Sequence, residues 1–193
     1  MTLKDKIIHA SLRLFSTNGF MSTSISDVMA AAGASKGGLY NHFKSKDQLF
    51  YAALSEARHI WREKNLDGLD DLDDPVEKVI HLFENYQHRY LTAKDLPGGC
   101  IFVNLAVELN DQRPDLAAEV NEGFVGLKTM VKRWLDAARN DGRIKASVET
   151  QSVTDMIVSG LLGACVMYTS DKSEENLNAT IGTLVGYIDG LRA

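Results

Sequence analysis

The first fifty residues place apolar side chains at the spacing of short amphipathic helices. Ile8, Leu12 and Phe15 fall on one stripe, which predicts a first helix from about Lys4 to Thr17. Asn18 and Gly19 follow directly, and this pair favours the left-handed conformation that ends a helix. The chain is therefore predicted to open with one helix that has a defined stop.

Two more helices are predicted from their start signals. Ser24 and Asp27 have the spacing of a capping box, and Gly33 can end the helix that the box begins. Ser35 follows shortly after, so it can cap a third helix from Lys36 to about Phe43. Two helices joined by so tight a turn form a helix-turn-helix, whose second helix can enter the major groove of DNA.

The rest of the chain carries the helical period in longer segments. Residues 45–48, Ser-Lys-Asp-Gln, form another capping box and begin a fourth helix. Residues 67–75 are acidic, and we interpret them as a solvated turn between a head and a body. Five body helices are predicted. The first begins at Pro75, carries apolar residues as far as Tyr90 and is broken by Leu96-Pro97-Gly98-Gly99. The others lie at about Cys100 to Leu109, Pro114 to Ala138, Thr150 to Thr169 and Ser173 to Leu191. The segment from Cys100 is apolar on every side, which favours a buried helix and leaves a buried strand as the alternative.

The predicted fold class is all-α, with about nine helices. Residues 1–50 are expected to form a helix-turn-helix domain with a three-helix head, and residues 51–193 a helical bundle. The apolar runs are shorter than the ~20 residues that span a bilayer, and the start of the chain lacks the pattern of a signal peptide. We therefore expect a soluble, cytoplasmic protein.

Charge is divided unevenly along the chain. The net charge is −5, but residues 1–50 hold six Lys or Arg against three Asp or Glu, a local net charge of +3 that leaves −8 for the remainder. A basic head attracts a polyanion while an acidic body is repelled by it, which fixes orientation. The two cysteines, Cys100 and Cys165, are too few for a disulfide framework or a four-ligand zinc site.

The third predicted helix has the dimensions of a recognition helix. Seven or eight residues span ~11 Å at 1.5 Å per residue, against a major groove ~12 Å wide. Leu39 and Phe43 lie four residues apart and are expected to face the core. The residues left to face solvent or DNA are Lys36, Gly37, Gly38, Tyr40, Asn41 and His42.

These outward residues have the chemistry of DNA contacts. Lys36 can bind a phosphate or a guanine, Asn41 suits an adenine edge, and Tyr40 and His42 can donate to phosphate oxygens. The two glycines cost helix stability but allow the backbone to come close to DNA. Further candidate contacts at the helix starts are Thr23, Ser24, Ser35 and Lys46. Each residue alone could instead be an ordinary surface or capping residue.

The segments "IIHASLRLFSTNGF" and "TSISDVMAAAGASKGGLYNHFKSKDQLF" make residues 5–52 resemble the DNA-binding domain of the TetR family of transcriptional regulators. The resemblance implies a homodimer built on the last two helices, a palindromic operator, and repression relieved by a small effector. It implies backbone contacts to DNA from Lys36, Tyr40, His42 and Lys46, with Gly37 and Asn41 near the bases. It also makes residues 51–193 an effector-binding and dimerisation domain.

One segment of the body suggests a thiol sensor. "PGGCIFVNLAVEL", residues 97–109, is similar to a branch of the family that senses electrophiles through a cysteine following glycine. Cys100 would lie in the first turn of the sixth helix, where the helix dipole lowers the pKa of a thiol. The alternative is that Cys100 is a small buried apolar residue, which is our interpretation of Cys165.

Other body residues are candidates for an effector site. His81, Glu84 and His88 have the spacing to share one helix face, where they could bind a metal, line a pocket or face solvent. Asn104 and Glu108 lie on an otherwise apolar segment, so they either line an effector cavity or satisfy buried backbone groups. Further candidate pocket walls, which could equally be core, are Trp134, Met167 and Tyr168.

The last two predicted helices carry small residues that would allow close helix approach, within the fold or across a dimer. We expect a dimer contact at Gly160, Gly163, Ala164, Gly182, Gly186 and Gly190. The favoured function is a transcriptional repressor without a cofactor, a bound metal or enzymatic activity. The alternatives are an activator or effector-independent DNA-binding protein with the same fold, and a helical enzyme that holds a metal at His81, Glu84 and His88.

Overall fold

A computed structural model describes residues 1–92 and 96–193 of the chain. The described residues form nine α-helices and no strand, which confirms the predicted fold class. The helices are α1 (Leu3–Asn18), α2 (Ile25–Ala32), α3 (Lys36–Tyr40), α4 (Lys46–Asn65), α5 (Pro75–Asn85), α6 (Ile101–Leu109), α7 (Pro114–Asn140), α8 (Thr150–Asp171) and α9 (Glu174–Asp189). The segment from Cys100 is thus a buried helix rather than a strand.

The helices of the head start and stop where their capping residues predict. Ser24 accepts from the backbone N–H of Asp27, and the Asp27 side chain returns to the backbone of Ser24, which completes the capping box of α2. Gly33 ends α2 in the left-handed conformation, with φ of 61°. The hydroxyl of Ser35 caps α3 by accepting from the N–H of Gly38. These signals are local, so sequence alone suffices to place them.

The third helix is shorter than its predicted end at Phe43. It closes at Tyr40, although the N–H groups of His42 and Phe43 still donate to the carbonyl of Leu39 at 3.0 and 2.9 Å. A helix that starts with a lysine and two glycines has little intrinsic stability. Its position is instead held by Leu39 and Phe43, which are 0% and 4% exposed.

The described chain forms two compact units. The first combines residues 1–61 with the described part of residues 93–120, and the second combines residues 62–92 with residues 121–193. In the first unit, edge-to-face contacts of Phe20 with Phe15 and Phe50, at ring-centroid distances of 5.3 and 5.1 Å, fill the core of the head. Helix α6 therefore belongs to the same unit as α1 to α3, and the division of function at residue 50 stays a prediction.

The second unit is built on α5, α8 and α9. Helix α5 ends in a wider, π-helical turn at Tyr86–Tyr90, which the sequence pattern did not predict. Among the described residues, one helix, α8, is long and apolar enough to cross a membrane by length and composition. The core helix of a soluble protein passes the same test, so this is weak support for a span. Helix α8 has 22 residues, but polar residues occupy both of its ends. The apolar run inside it is therefore shorter than the helix.

Candidate nucleic-acid interface

Helix α3 exposes the polar side chains that the sequence assigned to DNA. Lys36, Gly37 and Tyr40 of this helix are exposed, as are Asn41 and His42 in the turn that follows it, and Gly38 is half-buried. Leu39, which lies among them, and Phe43, which follows them, point into the core. A short helix with one buried edge and one polar edge is suited to lie in a groove of DNA.

The two glycines of α3 differ in their surroundings. A methyl group built on Gly37 meets nothing within 4 Å among the described residues, apart from its chain neighbours and the backbone of its own helix. A methyl on Gly38 would lie 3.1 Å from Leu3 Cδ2 and 3.2 Å from Ser35 Oγ. A methyl group at position 38 would therefore have close neighbours inside the head, whereas the fold leaves space at position 37.

Thr23 is a correction to the predicted set of phosphate contacts. Its side chain is 1% exposed, and its hydroxyl donates to the carbonyl of Gly19 at 2.6 Å. The side chain therefore supports the turn before α2 and is not available to DNA. The neighbouring Ser24 is exposed, and its hydroxyl accepts from Asp27 N at 3.1 Å and donates to Asp27 Oδ2 at 2.7 Å. This hydrogen bond lowers the pKa of Asp27.

Lys46 lies half-buried at the start of α4. Its ammonium lies over the ring of Phe20, 4.3 Å from the centroid, and donates to the carbonyl of Met21 at 3.3 Å. Burial lowers the pKa of Lys46, and the negative charge of Glu108 partly opposes that shift. In the DNA-free protein this lysine therefore stabilises the head as well as supplying a cation near its surface.

Lys44 is an exposed cation that the predicted contact set left out. Its ammonium donates to the carbonyl of Tyr40 at 2.6 Å, at the end of α3. A cation beside the last carbonyls of a helix is favourable for the helix dipole. The lysine content of residues 36–46 was visible in the sequence, but this contact depends on how the chain turns after Tyr40.

Helix α6 holds the backbone of α1 and of the turn that follows it. Glu108 accepts from the N–H groups of Phe20 and Met21, each at 2.8 Å. Asn104 Nδ2 donates to the carbonyls of Ser16 and Gly98 at 3.3 and 3.1 Å. Asn104 and Glu108 were expected either to line an effector cavity or to satisfy buried backbone groups. Their hydrogen bonds in the structure are to backbone groups. No signal near residue 20 could have shown this, because the partners lie 87 or 88 positions apart.

A second link joins the loop after α6 to the start of α4. Arg113 donates to both carboxylate oxygens of Asp47 at 3.0 and 2.9 Å. The same guanidinium donates to Asp115 at 3.0 and 2.8 Å. These hydrogen bonds raise the pKa of Arg113. The two parallel hydrogen bonds fix the orientation of the Arg113 guanidinium against Asp47. They add little to the stability of the fold, because the two side chains are partly exposed.

The candidate sensor cysteine is buried. Cys100 is 1% exposed. It was predicted in the first turn of the sixth helix, but it occupies the N-cap position, one residue before α6 begins at Ile101. Cys165 is 0% exposed, within the core of its unit. Both cysteines are free of disulfide bonds.

The three candidate metal ligands do not come together. His81 Nδ1 lies 3.8 Å from Glu84 Oε2. His88 lies in the π-helical turn, which has more residues per turn than the α-helix from which a shared face was predicted. Among the described residues no group of three His, Cys, Asp or Glu could hold a metal ion. The residues present therefore do not fit the metal site of the alternative enzyme.

The predicted pocket walls lie in different surroundings. Trp134 is half-buried. Tyr168 is half-buried too, and burial raises the pKa of its phenol. Met167 is 59% exposed, on the outward side of α8, so its assignment to a pocket wall is wrong.

The small residues of α8 and α9 divide into inward and outward positions. Methyl groups built on Gly163, Gly182 and Gly186 meet nothing within 4 Å among the described residues, apart from chain neighbours and their own helix backbone. A methyl on Gly160 would lie 2.9 Å from Leu184 Cδ2, so Gly160 serves the packing of α8 on α9. Ala164 is 3% exposed, within the core. These two positions are corrections to the predicted dimer face, and Gly190 is the C-cap of α9.

A capped helix with an exposed polar face, joined through a tight turn to a second capped helix, defines a helix-turn-helix DNA-binding protein. Comparison with known families agrees with this class. The family model described as "Bacterial regulatory proteins, tetR family" matches residues 7–53. The model described as "Tetracyclin repressor-like, C-terminal domain" matches residues 75–184.

Individual proteins similar to this chain are also transcriptional regulators. The HTH-type transcriptional regulator LmrA of Bacillus subtilis is 30% identical over 162 residues, 82% of this chain and 84% of that protein. The crystal structure of a TetR transcriptional regulator from Chloroflexus aurantiacus has a TM-score of 0.88 at 28% identity, covering 96% of this chain and 93% of that one. A cysteine mutant of the TetR family regulator CifR, complexed with 26-base-pair double-stranded operator DNA, has a TM-score of 0.79 at 22% identity, covering 95% of each chain.

The chain belongs to the TetR family of transcriptional regulators. Its function is therefore DNA binding in the regulation of transcription, and it is not an enzyme. The resemblance stated from residues 5–52 is confirmed.

Proposed function

We propose that this protein is a homodimeric repressor that binds a palindromic operator through α3. The observation that carries the proposal is the exposed polar edge of α3, held in place by the buried residues Leu39 and Phe43. The solved structure of a cysteine mutant of the structural neighbour CifR is a complex with operator DNA, which supports the same use of this fold. Because its target is DNA inside a bacterial cell, we place the protein in the cytoplasm.

The proposed contacts differ in what they read. Asn41 is the candidate for a base edge, and Gly37 lets the backbone come close beside it. Lys36, Tyr40 and His42 are exposed and are assigned to phosphates and neighbouring bases. Lys46 is a candidate phosphate ligand, because an ammonium has three N–H donors and the carbonyl of Met21 accepts from one of them. Ser24 and Ser35 remain candidate phosphate contacts whose hydroxyls also cap their helices.

Selection of bound duplexes from a random-sequence DNA library tests the proposal. A two-fold repeated site should be enriched, because a symmetric dimer presents two α3 helices. On that site, Lys36→Ala should lower the slope of log affinity against log salt by about 1.8, because each lost phosphate contact lowers it by about 0.9 and the dimer loses two. Asn41→Ala should change the base preference at one position of each half-site and leave the salt slope unchanged. Enrichment of no sequence would refute operator binding.

The proposed dimer interface is the outward side of α8 and α9. Large apolar side chains are exposed there, with Met156 at 46%, Val166 at 47% and Met167 at 59% on α8 and Tyr187 at 41% on α9. The open positions Gly163, Gly182 and Gly186 lie on the same two helices. Small residues beside exposed apolar ones allow a second pair of helices to approach closely.

Release from the operator is proposed to follow the binding of a small effector to the body or the modification of a thiol. Half-buried Trp134 and Tyr168 remain candidates for the effector site. Cys100 is the candidate thiol, and its burial requires the reagent to reach the N-cap of α6.

The thiol hypothesis is tested with Cys100→Ser. The variant should bind the operator like the wild type but fail to dissociate when an aldehyde or a quinone is added. Cys165→Ser is the matched control and should still be released. A gel shift with and without the electrophile gives the answer, and normal release of Cys100→Ser would refute sensing by this thiol.

A further inference from the structure

The turn between α1 and α2 is held by a carboxylate from a distant helix. Glu108 Oε2 accepts from Phe20 N and Glu108 Oε1 accepts from Met21 N, both at 2.8 Å. Each carboxylate oxygen thus takes one of two consecutive N–H groups. Hydrogen bonds to an ionised acceptor are the stronger kind, and a parallel pair also fixes direction.

The backbone of this turn is shaped to receive that carboxylate. Consecutive N–H groups that point to one side form an anion-binding concavity. Gly19, just before the pair, has φ of 82°, and a methyl group built on it would lie 2.5 Å from Glu108 Oε1. A side chain at position 19 would therefore be strained and would collide with the carboxylate.

The same turn sets the position of the DNA-binding elements. The carbonyl of Met21 accepts from Lys46 Nζ at 3.3 Å, which links the turn to the start of α4. The carbonyl of Gly19 accepts from the hydroxyl of Thr23 at 2.6 Å, directly before the N-cap of α2 at Ser24. Phe20 is 2% exposed and packs on the ring of Phe50. A shift of the turn would move the starts of α2 and α4 together.

We propose that Glu108 is a positioning residue for operator binding, which acts by fixing the α1–α2 turn and touches no DNA itself. The inference rests on the proposed function and assigns to it a residue outside the helix-turn-helix. It makes the DNA affinity of the head depend on α6. The proposed effect of Glu108 on DNA affinity is also opposite to that of its charge. A negative charge in a DNA-binding unit would by itself weaken the binding of a polyanion.

The test compares Glu108→Gln with Asp111→Asn on the operator selected for the wild type. Both variants remove one negative charge. Asp111 is exposed, and its described contact is with Asn110 and not with the α1–α2 turn. Asp111→Asn should bind the operator as tightly as the wild type or slightly more tightly. Glu108→Gln should bind at least about tenfold more weakly, the equivalent of one hydrogen bond to a charged group. Affinity is measured per folded molecule, with the active fraction found by titration against excess DNA.

Two further measurements separate positioning from folding. Amide hydrogen exchange of Phe20 and Met21 should speed up in Glu108→Gln, because their N–H groups lose an ionised acceptor. Glu108→Asp keeps the charge but is too short to take both N–H groups, so it should also bind weakly, and it serves as the second variant if Glu108→Gln does not fold. Lower stability with unchanged affinity per folded molecule would overturn the inference. A wild type that binds no DNA would instead refute the proposed function itself, and the inference with it.

Discussion

Gly37 and Gly38 are adjacent in α3, but a side chain would have different surroundings at each position. At Gly38 a methyl group would press on Leu3 and on the capping hydroxyl of Ser35, at 3.1 and 3.2 Å. At Gly37 the structure leaves open space, and its φ is not in the left-handed region. Glycine in a helix costs about 1 kcal/mol relative to alanine. We expect this cost at position 37 to serve the approach of DNA, since the fold does not require it.

Gly37→Ala is therefore expected to raise stability and lower DNA affinity. The free energy of unfolding, measured with urea, should increase by up to about 1 kcal/mol. Operator affinity should fall by about tenfold or more, because a methyl group would occupy the space that the DNA needs. Gly126→Ala is the matched control, since Gly126 also lies within a helix with open space around it. The control should be stabilised without loss of affinity, and equal affinity of Gly37→Ala and wild type would contradict the role of Gly37.

Thr23 shows how a single residue can have the right chemistry in the wrong place. Its hydroxyl is a suitable phosphate ligand, and its position before the cap of α2 favoured that role. The side chain instead turns inward and donates to the carbonyl of Gly19. Its orientation depends on the path of the turn, which Glu108 helps to fix from α6.

At the scale of helices, starts were predicted better than ends. The capping boxes of α2 and the hydroxyl caps of α3 and α4 use residues three positions apart, so the sequence contains the whole interaction. The box of α4 differs in one detail, because Gln48 accepts from the N–H of Lys44 and not from that of Ser45. The end of α3 lacks such a local signal and lies before the predicted Phe43. The first body helix was predicted to run to the break at residues 96–99, but α5 ends at Asn85 and is followed by the π-helical turn.

Helix α6 was predicted from its apolar residues, but its neighbours were not. The "Leu-Pro-Gly-Gly" sequence before it marked a break. In the structure a methyl group on Gly98 would lie 1.8 Å from the carbonyl oxygen of Ser16, so glycine is required by a close approach of two backbones. With Asn104 donating to the same carbonyl, this approach ties α6 to the end of α1. The sequence predicts a turn here, and the packing of the first unit explains why Gly98 must lack a side chain.

At the scale of the whole molecule, the exposed side of α8 and α9 predicts the oligomeric state. We expect the protein to sediment at twice its chain mass of 21.3 kDa. Met167→Glu should convert it to a monomer, because a buried unpaired charge is costly at an apolar interface. Val107→Glu is the matched control, since Val107 is 78% exposed on α6 and lies outside that face. The control should remain a dimer, and a dimeric Met167→Glu would place the interface elsewhere.

The division of charge also has its meaning at this scale. The basic head and the acidic remainder were visible in the sequence, and both are consistent with a protein that presents one end to DNA. The sequence did not show that cations are also used within the head. Lys46 is partly buried over Phe20, so part of the positive charge counted from the sequence stabilises the fold.

The sequence by itself determined the helical class, the starts of the DNA-binding helices and the inward direction of Leu39 and Phe43. These properties depend on residues within one or two helical turns of each other. The tertiary structure decided the roles of Thr23 and Glu108, and it separated the inward Gly160 from the outward Gly182. Those roles depend on partners tens of residues away, whose positions are set only when the helices pack against each other.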